Sequence, residues 1–132
     1  MVVGQFVLPT GTDFARYFGS SFERLLMAWI WLLGAGIVEI VMAISLKYSE
    51  GWTRLGPSIL GLAASMISIG MLTMAIKTLP IGTAYAIWTG IGAIGVTLIG
   101  ILVFREDTSL LRLGCMALIF IGIIGLKFLP AQ

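Results

Sequence analysis

The sequence lacks histidine and holds a single cysteine, Cys115, among 132 residues. One cysteine excludes an intrachain disulfide, and without histidine a zinc site of the usual cysteine and histidine ligands has almost nothing to be built from. Cys115 lies in an apolar run and is interpreted as a small buried packing residue. We predict no metal site and no cofactor.

Charge is also scarce. Charged residues make up 11% of the chain and hydrophobic residues 59%, whereas a soluble domain carries about 25% charged residues. This composition is typical of an integral membrane protein. Eight lysines and arginines give a net charge of +2, but they separate apolar runs and form no basic patch, which argues against nucleic acid as a partner.

Four apolar stretches follow one another from Met27 onward. A bilayer core about 30 Å thick needs about 20 apolar residues in a helix, and each stretch meets this length. The sequence therefore predicts an all-α membrane protein, with a four-helix domain over residues 27–132 and transmembrane helices at about 28–47, 57–76, 81–104 and 110–128. The lysines and arginines divide almost evenly between the two sides, a weak bias that permits an antiparallel dimer.

Residues 1–26 differ from the rest because they mix charged residues with aromatics. One interpretation is a short amphipathic helix on the membrane surface over Phe14–Leu26, with Phe14, Phe18 and Phe22 on one stripe. The other is an N-terminal extension upstream of a natural start at Met27.

Glu39 is the one charged residue in the stretch Met27–Leu46. An acidic residue at the centre of a membrane helix costs roughly 2.5–3.5 kcal/mol, so such residues face a bundle interior or a water-filled cavity and usually bind an ion, a proton or a substrate. Gly36 and Met42 lie on the same helix face. A purely structural carboxylate, satisfied by a hydroxyl or a lysine, is the alternative.

Two further sets of side chains could belong to such a site. Tyr85 and Trp88 share a face of the third helix and offer π faces to a cation, although both could instead face lipid. Ser65 and Ser68 lie in the second helix, where a serine usually bonds to its own backbone. A bond from serine to the Glu39 carboxylate is the other possibility.

Glycine patterns indicate packing rather than catalysis. Residues 90–95 match the dinucleotide motif G-x-G-x-x-G, but the motif requires a strand before it, and here it indicates a bend or a close contact in the third helix. In the fourth helix Gly114, Leu118 and Gly122 form a stripe suited to helix–helix and dimer packing. The sequence contains no nucleophile–base pair and no phosphate-binding loop, so we do not expect an enzyme.

From Met27 onward the chain resembles the small multidrug resistance family of four-helix transporters, and within it the guanidinium exporter branch. The motifs that carry the resemblance are Met27-Ala28-Trp29, Gly36-Ile37-Val38-Glu39, Leu46-Lys47-Tyr48-Ser49, Thr53-Arg54-Leu55, the whole of 77–92 (KTLPIGTAYAIWTGIG) and Gly122–Lys127. Family members typically begin at the equivalent of Met27, which favours the extension for residues 1–26.

The resemblance implies an antiparallel homodimer with dual topology in the bacterial plasma membrane, and proton-coupled export of guanidinium by alternating access. It also implies that Glu39 of both subunits binds protons and substrate, and that Ser68 steadies this carboxylate. Tyr85, Trp88, Met42 and Gly36 would then line the substrate site.

Met42 departs from the branch, which usually has tryptophan at this position. Because methionine is flexible, the site could favour alkylguanidinium or quaternary ammonium cations, or the chain could pair with a different subunit. A structural or regulatory membrane subunit without transport is the competing class.

Overall fold

The computed structural model describes residues 11–106 and 109–128, and of residues 11–18 the backbone alone. Four helices follow in order: α1 (Gly11–Tyr48), α2 (Leu55–Ala75), α3 (Ile81–Leu102) and α4 (Leu110–Phe128). Each contains a stretch long and apolar enough to cross a membrane. The prediction of an all-α chain with four membrane-spanning helices is therefore confirmed over the described residues.

The largest difference from the predicted helix boundaries is at the start of α1. We expected this helix from about residue 28, but it begins at Gly11 and runs unbroken for 38 residues, which is roughly 57 Å at 1.5 Å per residue. A separate surface helix over Phe14–Leu26 is therefore wrong, and the side chains of Phe14 and Phe18 lie outside the described ones. The apolar composition of a stretch predicts where a helix enters lipid. It does not predict where the helix begins, because glutamate, arginine and alanine also favour a helix in water. That the natural start is Met27 stays a prediction.

A tight turn sets α2 antiparallel to α1. Glu50, Gly51 and Trp52 all have positive φ angles, of 48°, 69° and 71°, a left-handed conformation that glycine adopts at least cost. The buried Ser49 holds the turn, because its hydroxyl donates to the Leu46 carbonyl oxygen at 2.7 Å and its own carbonyl accepts from the Arg54 amide at 3.1 Å.

The core lies where α1, α2 and α3 meet. Much of it is alanine, and small residues let membrane helices approach closely. The buried hydrophobic cluster consists of Ala28, Leu32, Ala35, Leu72, Ala75, Leu79, Ala84, Ile87 and Trp88.

The fourth helix lies outside this core. Among the described residues it packs as a helix against α3 alone, where Gly90 leaves room for the Ile123 side chain, and none of its residues is buried. Gly114, Leu118 and Gly122 are exposed in the single chain. Cys115 is exposed as well, so the expectation that it is buried is wrong for the single chain, because α4 packs against α3 alone among the described helices. Their role in dimer packing stays a prediction.

Glu106, in the loop between α3 and α4, joins the end of α1 to the start of α4. Its carboxylate accepts from Lys47 Nζ of α1 at 2.8 Å and from Arg112 Nη2 of α4 at 2.9 Å. The Lys47 ammonium also lies 3.8 Å from the centre of the Phe104 ring. Hydrogen bonds from both cations lower the pKa of the Glu106 carboxyl, so the ionised form is stabilised in the folded chain.

We predict that Glu106→Gln lowers the unfolding midpoint at neutral pH. A carboxyl whose pKa is lowered by folding contributes stability above its ordinary pKa, and that contribution disappears as the pH falls through the lowered value. The difference between wild type and variant should therefore shrink below about pH 4, measured by thermal unfolding in detergent against pH. Glu50→Gln, which removes an exposed pair with Arg54, is the control and should change little. A difference that is independent of pH would contradict this account.

We also predict that Gly36→Ala destabilises the chain by about 1–3 kcal/mol. An alanine Cβ at this position would lie 2.9 Å from the Cβ of Ile91 and 2.6 Å from its Cγ2, and a β-branched side chain on a helix has little freedom to move. Gly70→Ala is the matched control, because its Cβ would meet nothing within 4 Å. Both changes raise helix propensity alike, so equal unfolding free energies for the two variants would rule out the α1–α3 contact as the cause.

Candidate functional site

Glu39 lies on α1 where this helix passes α3. Its side chain is half-buried, and its stem runs along the backbone of Gly92, since a Cβ at residue 92 would lie 3.1 Å from Glu39 Cγ. A glycine on α3 therefore provides the space that the carboxylate occupies.

A serine on α2 meets this carboxylate. The Ser68 hydroxyl is fully buried, at 0% exposed, and lies 2.9 Å from Glu39 Oε2 and 2.9 Å from the Ala35 carbonyl oxygen. A hydroxyl has one hydrogen to donate, so at any moment it donates to the carboxylate or to the carbonyl. Of the two interpretations of Ser68, the structure shows the contact with Glu39.

The indole of Trp88 completes the chain of hydrogen bonds. Its Nε1 donates to Ser68 Oγ at 3.0 Å, which fills a lone pair of the hydroxyl and leaves the hydroxyl proton for Glu39 or Ala35. One residue from each of the first three helices thus forms a continuous carboxylate–hydroxyl–indole network. Every side-chain polar atom that is fully buried in the described part of the chain has a partner.

Tyr85 extends this arrangement toward the surface. Its ring centroid lies 5.2 Å from that of Trp88 at an angle of 62°, an edge-to-face contact of the kind aromatic pairs prefer. Trp88 is 9% exposed and Tyr85 is 55% exposed. The two aromatics share a face as expected, but only one of them is held inside the protein.

Two of the expected lining residues, Gly36 and Met42, lie outside this hydrogen-bond network. Gly36 is buried against Ile91 and serves the contact between α1 and α3. Met42 is half-buried one turn beyond Glu39 and takes no part in the hydrogen-bond network. Their roles in lining a substrate site stay predictions.

Two participants were missed by the sequence analysis. Spacing places Gly92 on the same helix face as Tyr85 and Trp88, but its contact with the stem of Glu39 was not predicted. The role of the Ala35 carbonyl could not be predicted, because every residue has a backbone oxygen and the sequence does not show which one lies near Ser68.

Glu39 is half-buried in the single chain, and Ser68 makes the one side-chain hydrogen bond to its carboxylate among the described residues. The two large grooves of the described residues, about 530 and 440 Å³ in volume, lie between α1 and α2 near their two ends, and neither is lined by Glu39. The network thus holds one carboxylate oxygen in place at a partly exposed surface. The remaining lone pairs can accept hydrogen bonds from a proton donor or from a cation that carries N–H groups.

We predict that Ser68→Ala lowers the unfolding free energy by about 1–3 kcal/mol, because it leaves the buried Trp88 N–H and one side of the Glu39 carboxylate without a partner. Ser65→Ala is the matched control, since Ser65 lies one turn away on α2 and makes no side-chain hydrogen bond among the described residues. Denaturant unfolding in detergent measures both variants. Equal losses would show that the network contributes nothing to stability.

Comparison with known proteins places most of the chain in one group. Residues 27–119 match the family model described as Small Multidrug Resistance protein. Proteins named guanidinium exporter from Proteus vulgaris, Citrobacter freundii and Salmonella typhi are 56%, 57% and 55% identical to the chain over 101 residues. The aligned part is 76% of this chain, and it is 97% of the first relative and 96% of the other two.

Proposed function

The chain belongs to the small multidrug resistance family and is a multi-pass membrane transporter rather than an enzyme, and from this premise we propose that it exports guanidinium in exchange for protons. The observation that carries the proposal is the half-buried Glu39 carboxylate, which accepts a hydrogen bond from the Ser68 hydroxyl at 2.9 Å and no second one from the described residues. The printed names of relatives at 55–57% identity support guanidinium as the substrate.

Guanidinium suits this carboxylate for a geometric reason. It is a planar cation whose parallel N–H groups match the two oxygens of a carboxylate. Ser68 donates to Oε2, and the free lone pairs of both oxygens accept from the cation. The exposed π face of Tyr85 offers a second attraction at the mouth of the site.

Exchange follows from competition. A proton on Glu39 removes the negative charge that binds the cation, and the cation occupies the oxygens that would take the proton. If the site opens to one side of the membrane at a time, each proton that enters releases a substrate, and each substrate that leaves requires a proton. The small residues between α1 and α3 let these helices tilt against each other.

The substrate site is completed, in this proposal, by a second copy in antiparallel orientation. Two features support this homodimer: the half-buried Glu39 carboxylate has one hydrogen bond within the described chain, and α4 has no buried residue. Gly114, Leu118 and Gly122 would pack against the partner, since small residues let helices come close. The weak charge bias of the connecting loops is compatible with dual topology. The transport unit would be residues 27–132.

Met42 favours a second candidate within the same transport class. A flexible thioether one turn from Glu39 adapts to bulkier groups than a rigid ring does, so alkyl-substituted guanidinium or quaternary ammonium ions are the alternative substrates. A heterodimer with a related subunit would bring a different set of residues to the other half of the site.

We predict a substrate-evoked current for guanidinium in proteoliposomes of the purified protein, and no current in Glu39→Gln, which keeps the shape of the side chain but neither its charge nor its proton. Glu50→Gln, in the exposed α1–α2 turn, is the matched control and should transport normally. The pH dependence of the current, recorded at several gradients, reports the coupling to protons.

Tetraethylammonium serves as the second substrate in the same assay, because it has no N–H to donate. A current for guanidinium alone supports recognition through the carboxylate hydrogen bonds. Comparable currents for both cations would replace guanidinium export by broad cation export. Full transport in Glu39→Gln, or silence of a folded wild type with both cations, would overturn the proposal.

A further inference from the structure

A second site lies at the opposite end of the α1–α2 pair from the turn at Gly51. A groove of about 440 Å³ opens there between the N-terminal half of α1 and the end of α2. Arg24 and Lys77, one cation from each side, line it together with Glu23. Arg24 precedes residues 27–119, which match the family model, so this groove depends on a part of α1 that lies outside the shared region.

The charges of the groove favour an anion. Arg24 Nε donates to the Ser20 carbonyl oxygen at 3.0 Å and Nη2 approaches Ser20 Oγ at 3.4 Å, which anchors the guanidinium along α1 and leaves its other N–H groups available. Lys77 has no ion-pair partner in the part of the chain that the structure describes. The described residues that line the groove include these two cations and one carboxylate, that of Glu23, so the groove carries a net positive charge.

The order of residues along the two helices matches the profile of a lipid leaflet. On α1, Met27 and Trp31 lie one and two turns beyond Arg24 into the apolar stretch. On the antiparallel α2, Met74 lies one turn before Lys77 and inside the span that ends at Ala75. The cations therefore lie at the water side of the groove and its apolar wall toward the bilayer centre, with the indole at the level where tryptophan is enriched in membrane proteins.

We propose that this groove binds an anionic phospholipid, with the phosphate between Arg24 and Lys77 and an acyl chain along Met27, Trp31 and Met74. The bilayer supplies this ligand at high local concentration. Each lysine or arginine near an anionic leaflet strengthens the binding of a protein to anionic lipid about fivefold. The site is separate from Glu39 and goes beyond the transport of guanidinium, because it assigns a structural lipid to the extended part of α1.

The test is native mass spectrometry of the full-length protein released from detergent, with phosphatidylglycerol and phosphatidylcholine of identical acyl chains offered in equal amounts. We expect retention of phosphatidylglycerol over phosphatidylcholine. The double variant Arg24→Gln/Lys77→Gln should lose this preference by about 10-fold or more, and each single variant should lose part of it. Glu23→Gln should increase retention, because it removes the only opposing charge among the described groove residues.

The matched control is Arg105→Gln/Lys127→Gln, which removes the same net charge from positions that do not line the groove. It should keep the preference, and thermal unfolding and guanidinium currents of all variants confirm that they are folded. Equal retention of the two lipids by the wild type, or equal losses in the two double variants, would overturn the proposal. Displacement of the lipid by inorganic phosphate at millimolar concentration would also overturn it, because the site would then take a free anion rather than a lipid.

Discussion

A carboxylate within an apolar helix must be solvated by the protein, and the structure meets this requirement at Glu39 with a single buried hydroxyl. Ser68 reaches the carboxylate because α2 packs closely against α1, and it is aimed by the indole N–H of Trp88 on α3. Three helices must therefore keep their register for one hydrogen bond to form. An unpaired polar group in a membrane costs several kcal/mol, so this network restrains the relative positions of the helices as well as the site.

Close approach of the helices depends on small residues. Ala35 lies in the buried cluster, Gly36 admits the Ile91 side chain, and Gly92 leaves the space through which the stem of Glu39 passes. In lipid there is little hydrophobic driving force between helices, and dispersion contacts at short distance replace it. Small side chains at the contact also allow helices to move past one another, as the proposed exchange of protons for a cation requires.

The charges outside the proposed transport site lie near the two ends of the helices. At one end Glu106 joins Lys47 and Arg112, which ties the loop before α4 to the end of α1. At the other end Arg24 and Lys77 line a groove that also has an apolar wall. One set of charges is satisfied within the chain, whereas the other has an excess of cations that the surrounding membrane can neutralise. The two ends of one chain thus present different surfaces to the bilayer.

The sequence by itself determined the all-α class, the four spans and the presence of a lone acid, Glu39, within the first span, because the cost of moving a side chain into lipid depends on its chemistry and not on its neighbours. The end of α2 was predicted to within one residue, since the apolar stretch there ends at charged and turn-forming residues. The start of α1 could not be found in this way, because charged residues such as Glu23 and Arg24 continue a helix in water. Composition and spacing left open which serine meets the carboxylate, and the tertiary structure shows the contact with Ser68 that the family resemblance implies. Only the tertiary structure decided that Gly92 rather than Gly36 makes room for the carboxylate, and that Trp88 is buried while Tyr85 is not. Each of these depends on the distances between helices, and neither periodicity nor composition encodes the register of one helix against another.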